Sequence, residues 1–311
     1  MSLQSPRFAP EDRLQMAASN AWPIRNGERS RGVHVLQNAL LDLGYSMPIS
    51  TRHVELNPDG HFGRETLRVV EQFQRDEGLS VDGVIGRQTM SALDRLFPAF
   101  EYRVRLHLRA VHGPGELICV VPYETAIEAT QRVFGRYGIR IDYGSGESVA
   151  LSESQRAAFH TIESDCVWNI PAGDMRDLQQ VGTPVPANEI VVYYVRAFGD
   201  RDLLGCGGHA PGRPACTVRV DAPLWVTAHE VGHVLLTSSF DPVHMRLRQN
   251  LMHRNAVPGS GVPMLTRAQV ARMKEHPCCE RLTQSRPRRS IEIPRTLSFQ
   301  TPMERQRWRS N

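Results

Sequence analysis

Two imidazoles and a carboxylate stand together in Ala228-His229-Glu230-Val231-Gly232-His233. On an α-helix, residues four apart are turned about 40° from one another, so His229 and His233 face the same way, one turn apart. Two neutral imidazoles so placed can grip one divalent ion, and zinc suits them. Glu230, turned by about 100°, stands beside the ion as a proton carrier. Such a set suits hydrolysis of an amide. The metal lowers the pKa of a bound water to about 7, and the carboxylate moves a proton from that water to the leaving nitrogen. A catalytic zinc also needs a third protein ligand and an open position. The downstream stretch offers Asp241, His244 and His253. His160, Asp165 and Asp174 lack ligand spacing, and His209 reads as an exposed loop residue.

The elements that must position these groups can be read from periodicity. Apolar residues flank the motif on both sides, which predicts a buried helix over 224–236. Tyr102–Leu108 alternates apolar and polar residues and predicts a strand, as do Ile139–Tyr143, Glu189–Val195 and Cys216–Val220. Helical spacing covers Glu124–Tyr137 and stops at Gly138. A last helix spans Thr266–His276, with Thr266 as its cap and Gln269 at the reciprocal position. Alternating strands and helices around a modest mixed sheet give an α/β (α+β) domain over 100–282. Six cysteines are present: Cys119, Cys166, Cys206, Cys216, Cys278 and Cys279. Cys206 and Cys216 bracket a Gly/Pro-rich loop, which predicts a short Cys206–Cys216 bridge. The adjacent Cys278 and Cys279 would be strained as a pair.

Ahead of this unit lies a near-repeat. Asp59-Gly60-His61-Phe62-Gly63-Arg64-Glu65-Thr66 returns 23 residues later as Asp82-Gly83-Val84-Ile85-Gly86-Arg87-Gln88-Thr89. Asp-Gly favours a tight turn, and helical apolar spacing follows each copy. An earlier helix carries Val33, Leu36, Leu40 and Leu43 and ends at Gly44. Residues 26–98 are therefore expected to form a small all-α domain of three helices, with residues 1–25 as an arm. VHVLQNALLDLGY followed by DGHFGRETLRVVEQFQRDEGLSVDGVIGRQTMSAL resembles the peptidoglycan-binding domain found beside many wall hydrolases. One departure is the longer stretch between Tyr45 and Asp59. The resemblance implies peptidoglycan as a partner, although a related module also precedes the catalytic domain of matrix metalloproteinases.

The C-terminal unit resembles the metzincin clan of zinc metallopeptidases. In that clan the zinc helix is followed by a third His, or sometimes Asp, and then by a turn that bears a Met beneath the metal. Asn250-Leu251-Met252 looks like that Met-turn, and counting back from it places His244 as the third ligand. Met252 would then act by packing. The resemblance implies Zn2+ as cofactor, His229, His233 and His244 as ligands, Glu230 as general base and a protein or peptide as substrate. That substrate would lie extended along Cys216–Val220. Two positions depart from the clan. Leu236 stands where a Gly is usual, and His244 comes eleven residues after His233 rather than six.

Bulk properties fit two folded domains and a tail. Charged residues make up 23% and hydrophobic residues 41% of the chain, which excludes general disorder. The net charge is +4, but eight Arg and two Glu after residue 280 contribute +6. Residues 283–311 thus read as a basic, disordered tail, and nothing predicts specific nucleic-acid recognition. No apolar run approaches the ~18 residues of a membrane span. The N-terminus lacks the apolar core of a signal peptide, so the expected envelope or secreted location leaves three routes open: non-standard export, cytoplasmic storage, or a leader that precedes this sequence. The expected activity is that of a zinc endopeptidase. Its rivals are a hydrolase of peptidoglycan cross-bridge peptides and an inactive wall-binding protein or delivered toxin.

Overall fold

The Ser30 hydroxyl accepts from the Val33 N–H at 3.2 Å and opens α2 (Arg31–Asp42). The helix stops where Gly44 takes φ +94°. The computed structural model describes residues 2–53, 55–112, 123–164, 166–170, 172–255 and 261–282. The tail 283–311, Cys119 and Asp165 lie outside them. The two Asp-Gly turns lead into α3 (Arg64–Asp76) and α4 (Arg87–Leu96). Gly60 and Gly83 both sit at φ +65°, a left-handed conformation that disfavours a side chain.

Each turn is clamped by a buried glutamine from the preceding helix. Gln37 donates to Asp59 Oδ1 at 2.9 Å and to Thr66 Oγ1 at 3.0 Å, and accepts from the Gly60 N–H at 2.9 Å. Gln74 repeats the pattern with Asp82 at 2.8 Å, Thr89 at 3.1 Å and the Gly83 N–H at 2.9 Å. The segment expected as an arm folds back instead and contributes a further helix, α1 (Asp12–Ala18). Its Phe8, Leu14 and Ile24 are buried in one core with Leu36, Phe73 and Met90. The described residues of the domain therefore form four helices, because the apolar residues of 1–25 cover a face that the other three leave open.

The second domain is a mixed α/β structure. Its elements run β1 (Tyr102–His112), α5 (Tyr123–Phe134), a 3₁₀ turn (Gly135–Tyr137), β2 (Ile139–Ala150), α6 (Glu153–Phe159), α7 (Asp174–Leu178), β3 (Ile190–Val195), β4 (Gly205–Cys206), β5 (Ala215–Arg219), α8 (Val226–Leu236), α9 (Arg267–Glu275) and β6 (Glu280–Arg281). The sheet order is β2-β1-β3-β5-β4, with β6 joining β1. β2, β1, β3 and β5 are parallel, and β4 lies antiparallel to β5. Both faces of β3 are buried. Ile190, Val192 and Tyr194 face the core that holds α5 and α8, while Val191, Tyr193 and Val195 face a second core with Phe159, Met175 and Leu178. β5 is flanked by β3 and β4, so Cys216–Val220 is not an open edge for an extended peptide.

That alternation also corrects the expected disulfide. Cys206 pairs with Cys166, at a Cα–Cα distance of 5.5 Å, and Cys216 is free. Cys206 is the register partner of Thr217. Successive side chains of a strand point to opposite faces, so Cys216 points into the α8 core while Cys206 points into the other. A Cys206–Cys216 bridge would have to cross the sheet.

Charged pairs join the two domains. The Arg7 side chain is wholly buried and reaches Asp42 at 2.7 Å within its own domain and Glu101 at 2.8 Å in the other. Arg136 meets Glu11, and Arg267 meets Asp42.

Candidate metal centre

Helix α8 is buried along its whole length, which is why its sequence is apolar around four polar side chains, Thr227, His229, Glu230 and His233. His229, Glu230 and His233 are exposed by only 4%, 5% and 8%. His229 Nε2 and His233 Nε2 lie 2.9 Å apart. His244 arrives from the loop after the helix, its ring stacked on His229 at a centroid distance of 5.6 Å and edge-on to His233 at 4.8 Å. One ligand nitrogen from each of His229, His233 and His244 lies within 4.8 Å of the others. Asp241 is exposed. His253 turns away, with Nδ1 3.0 Å from Asn255 O. Among the described residues, these three histidines form the one group of metal-ligating side chains close enough to share an ion.

The donor set fits zinc. His229 Nδ1 donates to Leu251 O at 2.7 Å, which leaves the lone pair of Nε2 facing the centre. His233 Nδ1 is buried without a hydrogen-bond partner. Burial lowers the His229 pKa to about 4, drives that of His233 well below its ordinary value and lowers that of His244. Three neutral imidazoles thus converge in a buried site, the form in which imidazole binds a metal. Glu230 responds to the same burial in the opposite sense. Desolvation pushes its carboxyl up to about 8, against a hydrogen bond from the Gly207 backbone.

Three glycines allow this packing. A Cβ on Gly207 would lie 2.3 Å from His233 Cβ, and one on Gly205 would lie 2.6 Å from Glu230 Oε1. The strand can rest on the helix only because both side chains are missing. A Cβ on Gly232 would lie 2.7 Å from Met252 Sδ. Met252 is fully buried beneath the helix, packed against Gly232 and away from solvent. Its turn is fixed by Asn250, which accepts from the Met252 N–H at 2.8 Å and exchanges hydrogen bonds with Gln269.

Other contributors carried no local sequence signal. Trp168 sets its ring edge-on against His233 at 5.4 Å. The Cys166–Cys206 bridge ties its segment to β4. Thr237 ends α8 at φ 62° and ψ 174°, a conformation nearly reserved for glycine. Arg272 holds this exit, donating to Thr237 Oγ1 at 3.0 Å, Ser239 Oγ at 2.8 Å and Leu236 O at 3.3 Å. The left-handed turn comes one residue after Leu236, which is why Leu236 can be an ordinary helical residue. His209 is held by Ala210 O at 3.0 Å, and Asp174 lies 3.4 Å from the Glu163 N–H.

Comparison with known proteins covers the two domains separately. Residues 29–93 match the family model described as "Putative peptidoglycan binding domain". A stretch of 104 residues is 34% identical to the type VI secretion system spike protein VgrG3 of Vibrio cholerae, covering 30% of this chain and 10% of that protein. The chain thus spans about a tenth of that relative's own length. The structure is similar to metalloproteinase-II from Bacteroides fragilis, at 13% identity and a TM-score of 0.37, over 59% of this chain and 55% of that one. It is also similar to archaemetzincin from Methanopyrus kandleri, at 16% identity and a TM-score of 0.34, over 56% and 95% of the two chains.

Proposed function

We propose that this protein is a zinc-dependent peptidase that acts at the bacterial cell wall. One observation carries the reading: two buried imidazoles of α8 and the half-buried His244 converge, and the buried carboxyl of Glu230 stands on the same helix. His229, His233 and His244 would hold the ion. Zinc bound there would supply a Lewis acid for the scissile carbonyl and the attacking water. Glu230 takes a proton from that water and delivers it to the leaving nitrogen. Burial raises the metal-free carboxyl to about 8, and a cation bound beside it would favour the carboxylate, the form that accepts a proton. His229 is kept in the productive tautomer by Leu251 O. Met252 supports the helix from below and touches no reacting atom.

The match over residues 29–93 favours peptides of the wall as substrate over proteins at large. The likeness to a type VI spike protein fits a protein delivered to a wall rather than one retained in the cytoplasm. Metal analysis of the purified chain, with digestion of sacculi and casein in parallel, tests the reading. One zinc per chain and release of wall peptides that Glu230→Gln abolishes are expected. A chain that takes up no zinc, or a Glu230→Gln variant with full turnover, overturns it. Cleavage of casein alone would remove the wall as substrate and keep the peptidase.

A further inference from the structure

The stretch between Tyr45 and Asp59, where the front domain departs from its family pattern, reaches across to the domain that carries the histidines. Glu55 Oε1 accepts from the Arg246 N–H at 3.1 Å, two residues beyond His244. Asn57 accepts from the Arg267 N–H through its side chain at 2.7 Å and its carbonyl at 3.1 Å, at the start of α9. His34 of α2 is fully enclosed between Pro58 O, 2.9 Å from Nδ1, and the Tyr137 hydroxyl, 3.2 Å from Nε2. Tyr137 belongs to the second domain, and its hydroxyl accepts from the Leu265 N–H at 2.7 Å.

From Leu265 the connection to the candidate ligands is short. The preceding residue, Met264, donates to Gln249 O and accepts from the Leu251 N–H, both at 2.8 Å. Leu251 O is the acceptor that orients His229. The Met245 N–H, next to His244, donates to Met252 O at 2.8 Å. Both stretches that support the histidines therefore lie against the 55–58 segment or against Tyr137. No ligand comes from the front domain, but the loop that supplies His244 and steers His229 is wedged between that domain and α8.

We infer that the front domain is an internal brace of the metal centre as well as a wall-binding module, with Tyr137 and Glu55 as positioning residues that keep the 244–252 loop in its metal-binding shape. This rests on the reading of His229, His233 and His244 as metal ligands. The seven residues between the end of α8 and His244 have many conformations to lose, and that ordering lowers affinity unless something else has already fixed the loop. The brace supplies the fixing. Loosening it leaves each ligand in place but costs metal affinity, as removal of outer partners of metal ligands does, typically by 10–100-fold.

The test uses the full chain with Zn2+ itself as probe, competed against a chelator of known affinity. Far-UV circular dichroism confirms that each variant is folded. Tyr137→Phe is expected to weaken zinc by about tenfold and Glu55→Ala by a smaller factor, with retention on sacculi unchanged. Tyr45→Phe serves as control, because that hydroxyl binds only Asp76 of its own domain among the contacts described, at 2.7 Å, and it should bind zinc as the parent does. If Tyr137→Phe does not fold, the half-buried Glu55→Ala decides. Parental zinc affinity in both brace variants overturns the inference and leaves the metal centre intact. A parent chain that takes up no zinc overturns the metal centre itself, and the brace with it.

Discussion

Replacing Glu230 by Gln should disable the protein and stabilise it at the same time. The folded carboxyl is pushed from 4.5 up to about 8, mainly by desolvation. Below pH 4.5 both folded and unfolded chains hold the proton, and stability is at its full value. Between 4.5 and 8 the unfolded chain has released it and the folded one has not, so stability falls as pH rises through that window. Each pH unit costs ~1.4 kcal/mol, so by pH 7 the metal-free protein has lost ~3 kcal/mol to this one group. Gln has the same shape, keeps an acceptor for the Gly207 N–H and carries no proton to lose. Metal-free Glu230→Gln should therefore be ~3 kcal/mol more stable than the parent at pH 7 and nearly equal to it at pH 4.5. Zinc should narrow the gap, since a nearby cation favours the parental carboxylate. Turnover should fall by about 10²–10⁴-fold, the usual scale for losing a general base. The assay is urea denaturation of chelator-treated protein at several pH values, alongside peptide release from sacculi. Stability curves that run parallel for the two proteins would refute the burial argument, and preserved turnover would refute the catalytic one.

The remaining expectations follow from individual contacts. Gly207→Ala places a Cβ 2.3 Å from His233 Cβ and 3.0 Å from Glu230 O, neither of which can swing aside. It should cost about 1–3 kcal/mol and weaken zinc, and a variant as stable as the parent in urea would contradict this. Burial lowers the His34 pKa from 6.5 to about 4, so stability is complete above 6.5 and is lost as pH falls toward 4, by ~3 kcal/mol. His34→Gln should flatten that part of the pH–stability curve. Because the His276 pKa is also lowered to about 4, the difference between the two curves is the measure. Cys166→Ser opens a bridge that closes 40 residues and should cost about 2–4 kcal/mol, whereas Cys216→Ser removes no bridge. Equal losses in the two variants, or a disulfide mapped to Cys216 by mass spectrometry, would count against the observed pairing.

What local pattern could convey was legible in the sequence, and the failures share one cause. Helix α9 was readable to its cap because Thr266 and Gln269 bond each other within one turn, at 2.8 and 3.2 Å. The Asp-Gly turns were readable because left-handed glycines are a local demand. The glutamines that clamp those turns were not. Gln37 lies 23 residues before the N–H it accepts from and Gln74 lies 9 before, so no single spacing marks them as a pair. Cys206 and Cys216 looked like partners by proximity along the chain, but strand parity sends them to opposite faces. Residues 1–25 looked like an arm because the face they cover belongs to helices elsewhere in the chain.

The long exit from α8 likewise depends on residues distant in the chain. His244 comes eleven residues after His233, which is too far for a single tight turn to deliver it. Here Thr237 occupies a glycine-like conformation at a cost of roughly 1–3 kcal/mol, and a longer loop must still bring His244 back to the helix. Contacts from far along the chain meet this exit and the chain just beyond it: Arg272 at the turn, and Glu55 at Arg246, two residues past His244. The 46–58 stretch, longer than the pattern it resembles, thus meets the chain just beyond the 237–244 loop. No local spacing marks either contact, because Arg272 lies 35 residues from Thr237 and Glu55 lies 191 from Arg246.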